Sequence, residues 1–164
     1  MKVAPRQQMV DSDCGPTCIH MISDYFGKQV SYAEILSACH FDPKEGLSNA
    51  DLVLALSQLG FTVSTRSNTS WDVLRHYNNR PELLVVSWMR DGYVGHFSLV
   101  ERVTKNHITL NDPEKGQYVR YGKIRFMRLW MDYDDLWYPL INTDITLRWL
   151  AIVSNTPSSS LHFA

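Results

Sequence analysis

The sequence predicts an α+β domain in which a helical first half packs against an antiparallel sheet. Three observations carry this. The first half repeats apolar residues at helical spacing behind Ser or Asp caps. The second half breaks into short runs rich in β-branched and aromatic residues, and Gly, Asn, Asp or Pro separates them. Helices first and strands later describe a segregated α+β arrangement. At 164 residues the chain fits one domain, since single cores run to about 100–200 residues.

The first helix opens at Cys14-Gly15-Pro16, with Ser12 or Asp13 as its cap, and runs through Ile19, Met21, Ile22 and Tyr25 to Phe26. Proline suits a first turn, where its missing N–H would have no partner. Gly27 ends the helix by taking the left-handed conformation. In SYAEILSAC a serine cap precedes Glu34 at capping-box spacing, which opens a second helix. SNADLVLALSQLG repeats the pattern with Leu52, Leu56 and Leu59, and closes at Gly60. SWDVLRHY is a shorter helix. PELLVVSWM, GHFSLVERV, HITLNDP, GQYVRYG and RWLAIVSN then read as strands. Between the last two, KIRFMRLWMDYDDLWYPLIN is aromatic and mixed, part helix and part loop. Its acidic residues Asp132, Asp134 and Asp135, between Trp130 and Trp137, read as a solvated loop rather than a site for a cation or basic peptide. The Ser-rich end is polar, so one domain is expected over 1–154 and a flexible tail over 155–164.

Charge and composition exclude several function classes. The 16 basic and 17 acidic side chains leave a net charge of −1, so no basic field draws nucleic acid. An apolar content of 45% argues against intrinsic disorder. No run approaches the roughly 18 apolar residues of a membrane helix, and LLVVSWM and LRWLAIV read as buried strands. MKVAPRQQMVDSD lacks the apolar core of a secretory signal, which points to the cytoplasm. There the 3 cysteines, Cys14, Cys18 and Cys39, are expected as free thiols, and their odd number argues against a disulfide framework. The cysteines and histidines show no paired ligand spacing, and no phosphate loop or dinucleotide fingerprint is present. No metal and no cofactor is expected.

Cys14 stands at a helix N-terminus, where free N–H groups and the macrodipole favour a thiolate. Two readings are open for it at this point, a reactive nucleophile or a small buried apolar residue. Cys18, one turn further on, is assigned to the core. A nucleophilic thiol needs a base and an orienting group. Among the 6 histidines only His96 opens a predicted strand directly after a glycine. Asp112 follows after that strand, a turn and a second strand, where antiparallel pairing would bring it beside His96. A carboxylate there would accept the imidazole N–H and stabilise imidazolium. The bland alternatives are a satisfied strand histidine and a turn-forming Asp before Pro113. Acyl chemistry also needs oxyanion donors, and the Cys14 N–H and the Gln8 amide are both close in sequence. Trp88, Met89 and Tyr93 lie just before His96 and are expected to line the cleft.

Gln8 with Asp13-Cys14-Gly15-Pro16-Thr17-Cys18, Tyr25-Phe26-Gly27, Gly95-His96-Phe97, and Asn111-Asp112-Pro113 followed by Gly116 resemble the bacteriocin-processing peptidases. That family comprises papain-like cysteine peptidases that cut leader peptides after a Gly-Gly pair. Its members usually form the cytosolic N-terminal domain of an export transporter, and stand-alone members exist. The resemblance spans roughly residues 1–120. It implies a papain-like fold, with Cys14 as nucleophile, His96 as general base, Asp112 as orienter and Gln8 as oxyanion donor. It also implies a peptide or precursor-protein substrate and association with an export transporter, and a stand-alone member is expected. Thr17 departs from the family, which commonly has a small residue there, and the aromatic segment after Gly116 does not align. Two other functions share these residues. One is an acyl transferase or peptide cyclase built on the same acyl-enzyme, and the other is a silent peptide-binding module, although such modules lose the cysteine.

Overall fold

In a computed structural model, residues 3–133 and 138–155 are described. Three helices come first: α1 (Cys14–Tyr25), α2 (Tyr32–Ala38) and α3 (Asn49–Gln58). Gly27 and Gly60 take positive φ values of 71° and 78° just past α1 and α3, as the helix-ending role requires. Ser31 and Glu34 form the expected capping box on α2, and the Ser48 hydroxyl accepts the Asp51 N–H to cap α3.

A strand then appears among the helices. β1 (Thr62–Arg66) precedes α4 (Trp71–His76) and is mostly exposed, with a single aliphatic residue, Val63. After α4 come β2 (Leu83–Arg90), β3 (Val94–Val103), β4 (His107–Asp112) and β5 (Gln117–Gly122). The mixed aromatic segment becomes α5 (Lys123–Leu129) and the two-residue β6 (Met131–Asp132). A 3-10 turn at Asn142–Asp144, β7 (Thr146–Leu147) and β8 (Leu150–Ser154) complete the described chain. The main sheet has the order β1-β8-β2-β3-β4-β5, with every pair antiparallel. The expectation of strands only after helices is therefore corrected at β1. Its pairing partner β8 lies near the far end of the chain, and its own sequence has almost no buried face to announce it.

Both faces of the sheet are covered. Val85, Phe97, Leu99, Ala151 and Val153 join Ile19, Met21, Ile22, Ile35, Leu52 and Leu56 in one core. Leu84, Val86, Trp88, Leu150 and Ile152 join Trp71, Leu74, Phe126 and Trp130 in the other. Successive residues of β2 and β8 thus enter opposite cores, which is why these strands read as unbroken apolar runs rather than as alternation. Burying such side chains stabilises the fold by roughly 1.5–3 kcal/mol each.

The acidic segment is not wholly a solvated loop. Asp132 is half-buried, accepting a hydrogen bond from the buried Ser87 hydroxyl and another from the Tyr133 N–H at 2.9 Å. Asp134, Asp135 and Trp137, with the tail beyond residue 155, lie outside the described residues.

Candidate active site

Cys14 is the first residue of α1 and is 8% exposed. Asp13 holds the N-cap position but makes no side-chain cap bond. Its carboxylate turns the other way, accepting the Met9 and Val10 N–H groups at 3.2 Å each and the Tyr32 hydroxyl at 2.6 Å. No cap from Asp13 therefore occupies the first-turn N–H groups beside Cys14. Gly15 allows α1 to lie close to β3. A β-carbon there would stand 2.8 Å from Leu47 Cδ2 and 3.4 Å from Phe97 Cδ2, and Phe97 adjoins His96.

His96 is buried near the start of β3. Pairing of Leu99 with Asn111 and of Val100 with Leu110 carries the end of β4 back toward it. His96 Nε2 meets Asp112 Oδ1 at 2.8 Å, and the Cys14 side chain interacts electrostatically with the same imidazole. With Nε2 committed to the carboxylate, Nδ1 is the nitrogen left for the thiol. Burial alone would lower the His96 pKa. The Asp112 hydrogen bond, with the contact and charge of Cys14, outweighs burial and pushes it up to about 9. Burial likewise raises the Asp112 carboxyl. Its bond to His96, the imidazolium charge and the Glu114 N–H at 3.0 Å more than offset that and hold it below the usual carboxylate range. Both shifts favour the imidazolium–carboxylate form of the pair.

The other two thiols sit in different surroundings. Burial, then the charges of Cys14 and Asp112, pushes the Cys18 thiol well up. Burial and the Asp51 charge push Cys39 up to about 12.

Gln8 is tied to the same corner of the fold. Its backbone N–H donates to the Pro113 carbonyl at 2.8 Å, one residue beyond Asp112. Its Nε2 donates to the Val10 carbonyl at 2.8 Å, and its Oε1 is buried without a partner among the described residues. One amide hydrogen is engaged and the second remains available as a donor.

Of the three residues expected along the cleft, only Tyr93 offers surface, at 77% exposure. Trp88 and Met89 are 1% and 2% exposed, because β2 is central in the sheet and covered on both faces. Trp88 instead supports the site from behind, its ring edge-on to His96 at 5.7 Å and its Nε1–H donating to Ser98 Oγ at 3.1 Å. The position of Tyr32 was not signalled by the sequence, since it acts through a contact between distant segments. Among the described residues no group of three or more His, Cys, Asp or Glu side chains is arranged to hold a metal. No helix among them is long and apolar enough to cross a membrane.

Residues 2–134 match the model of the peptidase C39 family. The chain belongs to that family. This C39 peptidase is a cysteine peptidase with the papain-like α+β fold. Its fold is similar to the peptidase domain of Streptococcus ComA, a bi-functional ABC transporter, with a TM-score of 0.73 at 18% identity over 94% of this chain and 99% of that one. It is also similar to a double glycine motif protease from an AMS/PCAT transporter solved with a leader peptide, with a TM-score of 0.71 at 18% identity over 94% of this chain and 93% of that one. The N-terminal peptidase C39 like domain of a Vibrio parahaemolyticus toxin secretion ATP-binding protein gives a TM-score of 0.56 at 10% identity, over 88% and 98% of the two chains. No curated protein sequence matches the C39 peptidase significantly.

Proposed function

We propose that this peptidase cleaves a leader or precursor peptide after a Gly-Gly pair, with Cys14, His96 and Asp112 as a triad and Gln8 as an oxyanion donor. The observation that carries the triad is the buried 2.8 Å bond between His96 and Asp112, with Cys14 electrostatically coupled to the same ring. In this scheme the Cys14 thiolate attacks the scissile carbonyl carbon. The Cys14 N–H and the Gln8 amide receive the developing oxyanion. As the C–N bond breaks, the imidazolium of His96 gives its proton to the leaving amine. The neutral imidazole then takes a proton from water, and the resulting hydroxide attacks the thioester. Collapse of that intermediate releases the new carboxyl end and the Cys14 thiolate, with His96 protonated again.

The Gly-Gly preference rests on the double glycine motif protease that shares this fold. Its physical logic is a narrow slot that excludes bulky β-carbons while glycine's freedom lets the chain thread it. An export transporter is the partner this reading implies. Peptides ending their leader in Gly-Gly and in Leu-Arg test it side by side. Cleavage after Gly-Gly is expected, and a preference for Leu-Arg would overturn this specificity.

A pH profile tests the triad. His96 must carry a proton to expel the amine, and its pKa lies at about 9. The value of kcat/KM should therefore fall with a one-proton slope as pH rises through about 9. Asp112→Asn removes the negative charge that raises this pKa, so the alkaline limb should move toward neutrality. Some activity should persist, because the amide oxygen still accepts the imidazole N–H. An unmoved limb would show that Asp112 is not coupled to catalysis.

A further inference from the structure

We propose that Asp13 is a positioning residue for the Gln8 amide, and that Tyr32 on α2 is the anchor holding Asp13 in that role. This inference rests on reading Gln8 as the oxyanion donor. Asp13 is 1% exposed, and a carboxylate so buried is costly unless hydrogen bonds replace its lost hydration. None of those bonds goes to α1 as a cap. Oδ2 accepts the Tyr32 hydroxyl at 2.6 Å and the Met9 N–H at 3.2 Å, and Oδ1 accepts the Val10 N–H at 3.2 Å. The Val10 carbonyl, on the peptide unit that follows, is the group that receives Gln8 Nε2 at 2.8 Å.

A continuous chain thus runs from Tyr32 through Asp13 and the Met9–Val10 backbone to the Gln8 side chain. Thr17 Oγ1 adds a contact to the Tyr32 hydroxyl at 3.3 Å, so α1 and α2 both hold the anchor. The Gln8 backbone is fixed separately, by the Pro113 carbonyl at 2.8 Å. Asp13 therefore acts on the amide through the Met9–Val10 backbone rather than through the Gln8 main chain. The fully exposed alternative, an amide free to rotate in water, would lose transition-state stabilisation to reorganisation. Met9 and Val10 are apolar residues held 71% and 48% exposed, which the bonds to Asp13 explain without any apolar packing of their side chains.

Tyr32→Phe removes the anchoring hydroxyl and keeps the ring. It should lower kcat about tenfold with KM nearly unchanged, as expected for an interaction felt only in the transition state. The rate of Cys14 alkylation by iodoacetamide should stay at the wild-type value, because that reaction forms no oxyanion. In a Gln8→Ala background Tyr32→Phe should cost nothing further, since the group it positions is already gone. Asp13→Asn, which keeps one acceptor oxygen, should show the same dependence on Gln8 with a larger loss of kcat. Additive losses in the double variants, or a parallel fall in alkylation, would overturn the positioning role while leaving Gln8 as the donor. A Gln8→Ala variant with wild-type kcat would overturn both.

Discussion

Replacing Cys14 by alanine is expected to remove turnover, by at least about 10⁴-fold, while the domain remains folded. No other thiol can take its place. Cys18 and Cys39 are buried, and burial raises both thiols. The substitution exchanges one small, largely buried side chain for another at a helix start, so its stability cost should be about 1 kcal/mol. The same contrast predicts selective alkylation. One equivalent of iodoacetamide near neutral pH should modify Cys14, read by mass spectrometry, while Cys18 and Cys39 react only as the protein unfolds. Equal labelling of the three cysteines in the folded protein would remove the distinction on which the nucleophile assignment rests.

Gln8→Ala carries the second largest expected effect, a loss of about 10²–10³-fold in kcat. An oxyanion donor binds charge that exists only in the transition state, so KM should change little. Cys14 alkylation should remain near the wild-type rate. The engaged Nε2 hydrogen does not conflict with this, because the primary amide carries two donors and the Val10 carbonyl occupies one. An effect confined to KM would make Gln8 a substrate-binding residue, and no effect at all would leave the Cys14 N–H and its neighbours as the donors.

Local chemistry made much of the fold readable. Ser31 with Glu34, Ser48, Gly27 and Gly60 mark helix ends through contacts within a few residues, and each was legible as such. The five strands from β2 to β5 and β8 announced themselves by short runs rich in β-branched and aromatic residues. Strand β1 did not, because its pairing with β8 is long-range and its side chains are mostly exposed. Asp13 was legible as a helix cap by residue type and position, yet its carboxylate found stronger partners in Tyr32 and the Met9–Val10 backbone. Proximity in sequence likewise misplaced Trp88 and Met89. Side chains alternate across a strand, and a central strand covered on both faces buries both sets, here from Leu84 to Met89.

The amino-acid sequence by itself determined the α+β class, most helix boundaries, and the residue types that could act as nucleophile, base and orienter. Those properties depend on propensity, capping and spacing, which act over a few residues. Only the tertiary structure decided that the end of β4 returns to His96 at hydrogen-bond distance, and that Cys14 on α1 couples electrostatically to the same ring. It also decided that the His96 pKa is raised and that the 9–10 segment hangs on a buried carboxylate. Hydrogen bonding and charge coupling fall off within a few ångströms, so they exist only once strand register and helix packing have brought distant residues together.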